Sequence, residues 1–280
     1  MKVVVTGATG FVGSHLVDAL LAAGHAVTAV SRGRRSWPDW SGDVSRVALD
    51  LHDWATDPVS ALGVPDVLVH LAWPGLPNYR DLFHIETNLP ADCRFLRRMV
   101  EAGTPQVLVT GTCFEYGLQS GALREEKPAQ PDNPYGIAKN TLRQYLEALR
   151  REHPFVLQWA RLFYLYGPGQ NPNSLIAQLD AAIERGDDLF PMSGGEQLRD
   201  YLPIERAARE LALLVRSAAE GVFNCCSGVP VSVRTLVERR LRERGSSMRL
   251  DLGRYRYPDH EPFAFWGVRE RLDRAMESFC

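Results

Sequence analysis

Long apolar runs are absent from this sequence, since none approaches the roughly 20 residues that a membrane-spanning helix needs. The chain starts directly on strand-forming residues, without the basic segment, apolar stretch and small-residue cleavage site of a secretory signal. Neither sign of charge is in excess, because 32 Lys and Arg face 34 Asp and Glu, for a formal net charge of -2. We therefore expect a cytoplasmic protein with no membrane contact and no nucleic-acid partner, in which any anion site is local.

Cysteine is scarce, and its five positions are scattered: Cys93, Cys113, Cys225, Cys226 and Cys280. None has the C-x-x-C spacing or the clustered histidine of a zinc site, so no metal site is expected. Scattered cysteines in odd number are typical of reduced thiols in a reducing compartment. We expect the adjacent pair, Cys225 and Cys226, to be two small buried residues at a strand end, because neighbouring cysteines rarely reach disulfide geometry without strain.

The first half of the chain alternates β-branched runs with helical patterns. This alternation predicts an α/β fold, a doubly wound parallel sheet with helices on both faces. The strand-like runs are Val3–Val5, Ala26–Val30, Val67–Leu71 and Val107–Val109, and the helical patterns are Val12–Ala23 and Ile85–Glu101.

The stretch TGATGFVG, residues 6–13, follows the first strand and opens the first helix. In this context Gly7 permits a tight turn, Gly10 lets the backbone approach a pyrophosphate, and Gly13 lets the helix pack closely on the sheet. Free N–H groups at the helix start, at Phe11 and Val12, would face the phosphates. A glycine-rich turn without a ligand is the weaker alternative, so the stretch predicts a dinucleotide site.

Beyond Arg161 the pattern becomes irregular, with three further helical patterns at Ser174–Arg185, Glu205–Ala219 and Val231–Arg244. We therefore expect residues 1–160 to form a dinucleotide-binding domain. Residues 161–280 would form a smaller lobe that mainly binds substrate, with part of this segment returning to the sheet.

A tyrosine and a lysine, Tyr135 and Lys139, stand four residues apart after the plausible helix cap Asp132-Asn133-Pro134, so both should project from one face. The free phenol has a pKa near ~10, and a neighbouring ammonium that stabilises tyrosinate makes it a better proton donor. A hydroxyl residue, Thr112, ends the preceding strand, where open parallel sheets place their ligands. A surface Tyr–Lys pair is the alternative, and Thr112 makes it the weaker one.

Together with the segments ALDL (48–51), HLAW (70–73) and PYGIAK (134–139), the glycine loop resembles the extended short-chain dehydrogenase/reductase family. This family includes nucleotide-sugar epimerases, dehydratases and ketoreductases, and the resemblance runs from Lys2 to about Gly228. It implies a Rossmann-type sheet in which Asp50 and Leu51 flank the adenine and Asn88 helps to hold the active-site region together. By the same resemblance Leu71 and Ala72 would lie under the cofactor.

The resemblance also implies roles for the three candidate catalytic residues. Thr112 would orient the substrate oxygen, Tyr135 would shuttle the proton, and Lys139 would also hold the nicotinamide ribose. After Thr112, the sugar dehydratases of the family carry an Asp-Glu pair, but here Cys113 and Phe114 follow. We expect Cys113 to be a packing thiol, whereas Glu115 stands at a usually apolar position and could contact substrate or solvent.

The second half carries RLFYLYGPGQNPNSLI (161–176) and GGEQLRDYLP (194–203), which resemble segments that bind the nucleoside diphosphate of a sugar nucleotide. Arg199 is the best candidate for a diphosphate clamp, because a guanidinium offers two parallel hydrogen bonds to phosphate oxygens. Arg161 is a second candidate, and Tyr164 departs from the asparagine of many relatives. The alternative for Arg199 is a surface arginine paired with Glu196 or Asp200.

With the later stretch YPDHEPFAFWG (257–267), these segments resemble bacterial nucleotide-activated 4-keto-6-deoxyhexose reductases. The implied function is reduction of the C4 ketone of a nucleotide-diphosphate sugar. Two alternatives stay open, a C4 epimerase with tightly bound NAD and a non-catalytic redox sensor of the same fold. The family also implies a homodimer in which the helices containing Leu89–Val100 and Leu142–Leu149 pack against their counterparts.

The segment AVSRGRR, residues 29–35, ends the second strand and bears on the choice of cofactor. Enzymes that prefer NAD usually place an acid at this strand end, where it binds the ribose hydroxyl and repels the extra phosphate of NADP. Ser31 removes that repulsion, and Arg32 follows at once as a phosphate donor. We therefore expect NADP(H) to be preferred over NAD(H), against the alternative of a solvated basic loop.

Overall fold

The computed structural model describes residues 1–257 and 261–277, and within them the strands form one sheet of seven and three smaller sheets. Residues 258–260 of the stretch YPDHEPFAFWG, and Cys280, lie outside the described residues. The strands are β1 (Lys2–Thr6), β2 (Ala26–Ser31), β3 (Val44–Ala48), β4 (Val67–His70), β5 (Gln106–Thr112), β6 (Gly121–Leu123), β7 (Val156–Leu162), β8 (Tyr164–Tyr166), β9 (Leu189–Pro191), β10 (Leu198–Pro203), β11 (Gly221–Cys225), β12 (Pro230–Ser232), β13 (Arg249–Asp251) and β14 (Phe265–Gly267).

Eight α-helices and two short helices of other types connect these strands in the described part of the chain. None of the helices in residues 1–257 and 261–277 combines the length and the apolar character that crossing a membrane requires. The α-helices are α1 (Phe11–Ala22), α2 (Pro58–Leu62), α3 (Leu89–Glu101), α4 (Pro134–Glu152), α5 (Leu175–Arg185), α6 (Ile204–Arg216), α7 (Val233–Glu243) and α8 (Glu270–Met276); a π-helix covers His84–Asn88 and a 3-10 helix covers Cys113–Tyr116.

The seven-stranded sheet has the order β11-β7-β5-β4-β1-β2-β3, and each neighbouring pair runs parallel. One apolar core on one face joins α1 and α6, and a second core on the other joins α3 and α4. This architecture confirms the α/β doubly wound fold with helices on both faces. Strand order reverses at β1, and such a switch point places ligands outside the carboxyl ends of β1 and β4.

The predicted elements differ from the structure in several details, and one of them is β7, which lies inside the sheet but is not among the predicted strand-like runs. Strand β3 was not predicted, because the edge position leaves Ser45 and Arg46 exposed and its sequence therefore lacks a continuous apolar run. The helix expected over Ile85–Glu101 divides into a π-helix and α3. Pro90 has no N–H for the α-helical ladder, and the Leu89 N–H reaches back five residues to the His84 carbonyl.

The segment after residue 160 is shared between the large sheet and a smaller lobe. Strand β11 pairs with β7 at the edge of the sheet, and α6 packs against α1. The lobe has its own apolar core, which includes Leu179, Phe190 and Val237 from three different elements. Cys225 and Cys226 are buried free thiols at the end of β11, as predicted.

Candidate active site

Three of the predicted residues, Thr112, Tyr135 and Lys139, lie together at the carboxyl end of β5. Thr112 is the last residue of β5, and the other two belong to the first turns of α4. Asn133 caps this helix by accepting a backbone N–H at 2.9 Å, and Pro134 occupies its first position. Because residues four apart share a helix face, Tyr135 and Lys139 project to the same side.

Burial controls the charge of this group, since the exposed fractions are 5% for Thr112, 7% for Tyr135 and 1% for Lys139. It raises the pKa of the Tyr135 phenol above its usual value, and a hydrogen bond with Thr112 acts in the opposite direction. It also lowers the pKa of Lys139 to about 8, against the attraction of Asp92 and Glu115. The site therefore keeps Tyr135 protonated. It also brings the pKa of Lys139 close to neutral pH, so that the ammonium loses its proton on a small rise in pH.

A cavity of about 620 Å³ opens beside Tyr135, and residues 77–81, Phe114 and residues 132–134 line it. Tyr79 packs against Phe114 with 4.8 Å between ring centroids and against Tyr135 with 5.6 Å. Its carbonyl accepts the Tyr135 backbone N–H at 3.1 Å. This volume suits a small organic ligand, and one wall of the cavity is aromatic.

The glycine loop fits the pyrophosphate of a dinucleotide. Gly7 has a φ of +68°, and a Cβ there would lie 2.8 Å from the backbone nitrogen of Ala72. A Cβ on Gly13 would lie 2.2 Å from the Gly7 carbonyl oxygen, so this glycine lets α1 approach the loop. Gly10 precedes α1 without a side-chain cap, which leaves the first N–H groups of the helix, at Phe11 and Val12, to an anion.

The residues expected under the cofactor and beside its adenine lie at the ends of neighbouring strands. Leu71 and Ala72 follow β4, and their N–H groups donate to the Thr6 hydroxyl at 3.2 and 3.3 Å. Asp50 and Leu51 follow β3, and Leu51 is buried.

Ser31 ends β2 as predicted, and its hydroxyl accepts the Gly33 N–H at 3.2 Å. Arg32 is exposed beside it. Arg34 lies 3.9 Å from Asp50, the residue expected beside the adenine. The strand end therefore carries a serine hydroxyl and, next to it, an exposed guanidinium.

A buried carboxylate, that of Glu115, organises the strand end behind Thr112. One oxygen accepts the Thr112 backbone N–H and the indole N–H of Trp159, both at 2.9 Å. The other accepts from Nε of Arg161 at 2.8 Å, and Glu115 and Arg161 are 0% and 2% exposed. Glu115 thus contacts neither solvent nor the cavity, which resolves the alternatives left open by the sequence.

The same contact changes the interpretation of Arg161. Its guanidinium lies between Glu115 and the face of the Tyr116 ring, 4.4 Å from the ring centroid. Arg161 was predicted to bind the substrate diphosphate. In the structure its charge is instead balanced by the buried Glu115 carboxylate. Sequence reasoning missed the pair, although a glutamate at a usually apolar position next to a strand end was the available signal.

Arg199 is also held by a carboxylate, but neither of the two expected from the sequence. Its Nη2 donates to Glu261 at 2.9 Å, and its Nη1 donates to the carbonyls of Leu198 and Phe263. The Tyr164 hydroxyl donates to the other Glu261 oxygen at 2.7 Å. A diphosphate at Arg199 would have to share the guanidinium with Glu261, so the clamp stays a prediction.

Residues 3–226 match the family model described as the NAD dependent epimerase/dehydratase family. The chain belongs to this family. Membership supports binding of a nicotinamide cofactor and agrees with the family resemblance noted in the sequence.

Two curated relatives from Aggregatibacter actinomycetemcomitans are similar to most of the chain. One is dTDP-6-deoxy-L-talose 4-dehydrogenase (NAD(+)), 31% identical over 271 residues that make up 96% of this chain and 100% of the relative. The other is GDP-6-deoxy-D-talose 4-dehydrogenase, 26% identical over 83% of this chain and 76% of the relative.

Among solved structures, the chain is similar to MoeE5 in complex with UDP-glucuronic acid and NAD. The TM-score is 0.85 at 29% identity, and the match covers 99% of this chain and 92% of that one. The likeness extends over the sheet and the smaller lobe alike.

Membership of the NAD dependent epimerase/dehydratase family leaves the reaction open, because the side chains after Thr112 differ among its enzymes. Here Cys113 packs in an apolar cluster with Phe163 and Phe265. Burial also raises the pKa of its thiol. Cys113 is therefore a packing residue, as predicted, and Phe114 is the residue of this segment that lines the cavity.

Proposed function

We propose that this protein reduces the C4 ketone of a nucleotide-activated 4-keto-6-deoxyhexose with NADPH. The observation that carries the proposal is the buried group of Thr112, Tyr135 and Lys139 beside a cavity in which Phe114 takes the place of a second acid or base. Both curated relatives named above are 4-dehydrogenases of 6-deoxytalose nucleotides, which supports C4 as the reacting carbon.

The roles of the side chains follow from their protonation and burial. Bound nicotinamide supplies or accepts the hydride at C4. Tyr135, kept protonated by burial, gives its proton to the carbonyl oxygen as negative charge develops there, and Thr112 hydrogen-bonds the same oxygen. Lys139 stabilises the tyrosinate that remains. In the direction of oxidation, the tyrosinate takes the proton back.

Phe114 and Cys113 limit the chemistry to this single step. Elimination of water would need a further acid and base beside Tyr135, and the phenylalanine ring supplies neither. The Cys113 thiol is held in its apolar cluster and away from the ionised form. The aromatic pair of Tyr79 and Phe114 also gives the cavity an apolar wall, which suits a C6 methyl group better than a hydroxymethyl group.

The decisive experiment is an assay of purified protein with a panel of nucleotide 4-keto-6-deoxy sugars, in which the absorbance of NADPH or NADH is followed. Consumption of reduced cofactor with formation of the 4-hydroxy sugar is the expected result. A C4 epimerase would instead convert a 4-hydroxy sugar without net use of added cofactor. A redox sensor would bind cofactor and turn over none of the sugars.

The cofactor preference is tested at the end of β2. We expect higher kcat/KM with NADPH than with NADH, and Arg32→Ala should raise the KM for NADPH about tenfold by removing a charge-assisted hydrogen bond. Ser31→Asp should reverse the preference, because a carboxylate there repels the ribose phosphate. Arg46→Ala, at an exposed arginine of β3, is the control. Equal or higher efficiency with NADH would contradict the preference for NADPH and favour NAD, the cofactor of dTDP-6-deoxy-L-talose 4-dehydrogenase (NAD(+)). An unchanged KM in Arg32→Ala would show that Arg32 does not bind the ribose phosphate.

A pH dependence follows from Lys139. Its pKa of about 8 means that the ammonium is intact below this pH and is lost as the pH rises through it. We therefore expect kcat/KM for the cofactor, which reports the free enzyme, to be flat near pH 7 and to fall about tenfold per unit above pH 8. A profile that stays flat to pH 10 would contradict this.

A further inference from the structure

Trp73, which follows Ala72 at the end of β4, lies against the charged end of Lys139. The ammonium nitrogen is 3.9 Å from the centroid of the indole ring, well within the range of a cation–π contact. The edge of the same indole meets the Tyr135 ring with 5.9 Å between centroids. One side chain therefore contacts both residues of the Tyr-x-x-x-Lys pair.

The indole is fixed in turn by a buried histidine, His84. Nε1–H of Trp73 donates to Nδ1 of His84 at 3.0 Å, and the Asn88 side-chain amide donates to the same nitrogen at 3.3 Å. Because Nδ1 accepts, the imidazole proton is on Nε2, from which it donates to the Asn78 carbonyl at 3.0 Å. Burial lowers the pKa of His84, so this neutral form persists at physiological pH.

The Asn78 carbonyl belongs to the loop of residues 74–83, which we call the cavity loop because its residues 77–81 line the cavity. The loop packs closely on the histidine, since a Cβ on Gly75 would lie 3.3 Å from the His84 ring. A continuous set of contacts thus runs from the cavity loop through His84 and Trp73 to Lys139.

We propose that Trp73 is a positioning residue that holds the Lys139 ammonium beside Tyr135 with its ring face and ties it to the cavity loop through His84. The inference rests on the proposed function, because it assigns a role within the same site. The other groups that face Lys139 are Asp92 from α3 and Glu115 from the 3-10 helix. These two acids attract the ammonium from other elements, whereas only the indole contacts it face-on among the described aromatic rings.

Two substitutions separate the two contacts of Trp73. Trp73→Leu removes the ring face and the N–H, whereas Trp73→Phe keeps a smaller ring face and removes the N–H. We measure the affinity for NADPH through its own fluorescence from pH 6 to 10. The pH dependence of this affinity reports the charge of Lys139 without any sugar substrate. Trp73→Leu should move the alkaline fall in affinity down by about one pH unit, because a desolvated ammonium loses its cation–π partner. In Trp73→Phe, the pH at which the affinity falls should stay within about 0.3 pH unit of the value for the parent protein.

The contact between Trp73 and the cavity loop is tested in a separate experiment, through the steady-state kinetics of the sugar substrate. With a sugar that the assay panel identifies, Trp73→Phe should raise the KM several-fold while kcat changes less than twofold, because the loop and not the reacting group has lost its anchor. Trp266→Phe is the matched control, since Trp266 is a half-buried tryptophan of β14, a strand that pairs with β6 outside the seven-stranded sheet. The control should leave both measurements at the values of the parent protein.

A second measurement avoids any change of shape at position 73. Tryptophans with one, two and three fluorine atoms, incorporated at this position alone, weaken the negative face of the ring in steps. The alkaline fall in NADPH affinity should move to lower pH with each fluorine. An unchanged fall in this series, or in folded Trp73→Leu, overturns the proposal, whereas failure of the parent protein to bind nicotinamide at all would overturn the proposed function instead.

Discussion

Tyr135→Phe is expected to reduce turnover by a factor of about 10²–10⁴, the range typical of a lost general acid, while cofactor binding persists. The phenylalanine ring keeps the contacts of the tyrosine ring with Trp73, Tyr79 and His84, so the site retains its packing. Only the hydroxyl that we propose as the proton donor is removed. The measurements are steady-state rate and NADPH affinity on the same preparation.

The neighbouring phenol at Tyr79 provides the matched control. Tyr79 packs on Tyr135 with 5.6 Å between ring centroids and lines the cavity, so Tyr79→Phe removes a phenolic hydroxyl from a neighbouring ring. A fall in rate below tenfold is expected, because this hydroxyl is not the proposed proton donor. If Tyr135→Phe kept the parent rate, Tyr135 would have no part in proton transfer.

The largest effect on stability is expected at Glu115. Glu115→Ala leaves the Arg161 guanidinium buried without its counter-charge and deprives the Thr112 and Trp159 N–H groups of their acceptor. Breaking a buried ion pair from one side costs about 3–5 kcal/mol. The free energy of unfolding from urea titration should fall by this amount.

Two further variants test the cause of that loss. The double variant with Glu115→Val and Arg161→Leu should recover much of the stability, because it removes both buried charges together. Glu147→Ala, at a partly exposed partner of Arg143, should cost no more than about 0.5 kcal/mol. If Glu115→Ala lowered the free energy of unfolding by no more than about 0.5 kcal/mol, as expected for the control, the buried pair would contribute little to stability.

Much of the fold could be predicted because the signals are local. Alternating β-branched runs and helical patterns indicated the parallel sheet, and Asn133-Pro134 indicated the start of α4, where the structure has it. Glycines at 7, 10 and 13 and the four-residue spacing of Tyr135 and Lys139 predicted the cofactor loop and the catalytic pair in the same way. Each of these inferences depends on residues within about two helical turns of one another.

The contacts that the sequence left open join distant residues. Glu115 and Arg161 are 46 positions apart, and Arg199 and Glu261 are 62 apart. No local pattern states which arginine meets which carboxylate, since both charges are equally compatible with an exposed surface until the sheet brings them together. The homodimer likewise stays a prediction, because it depends on the packing of a second chain.

The sequence by itself determined the α/β class, and it predicted the dinucleotide loop and the candidate proton donor, because period, glycine spacing and residue spacing translate directly into backbone geometry. Only the tertiary structure decided that Glu115 and Arg161 neutralise each other behind Thr112, and that Trp73 covers the Lys139 ammonium. The physical reason is burial. A charge loses its solvent when strands and helices from separate parts of the chain close around it, and that closure decides which partner it finds.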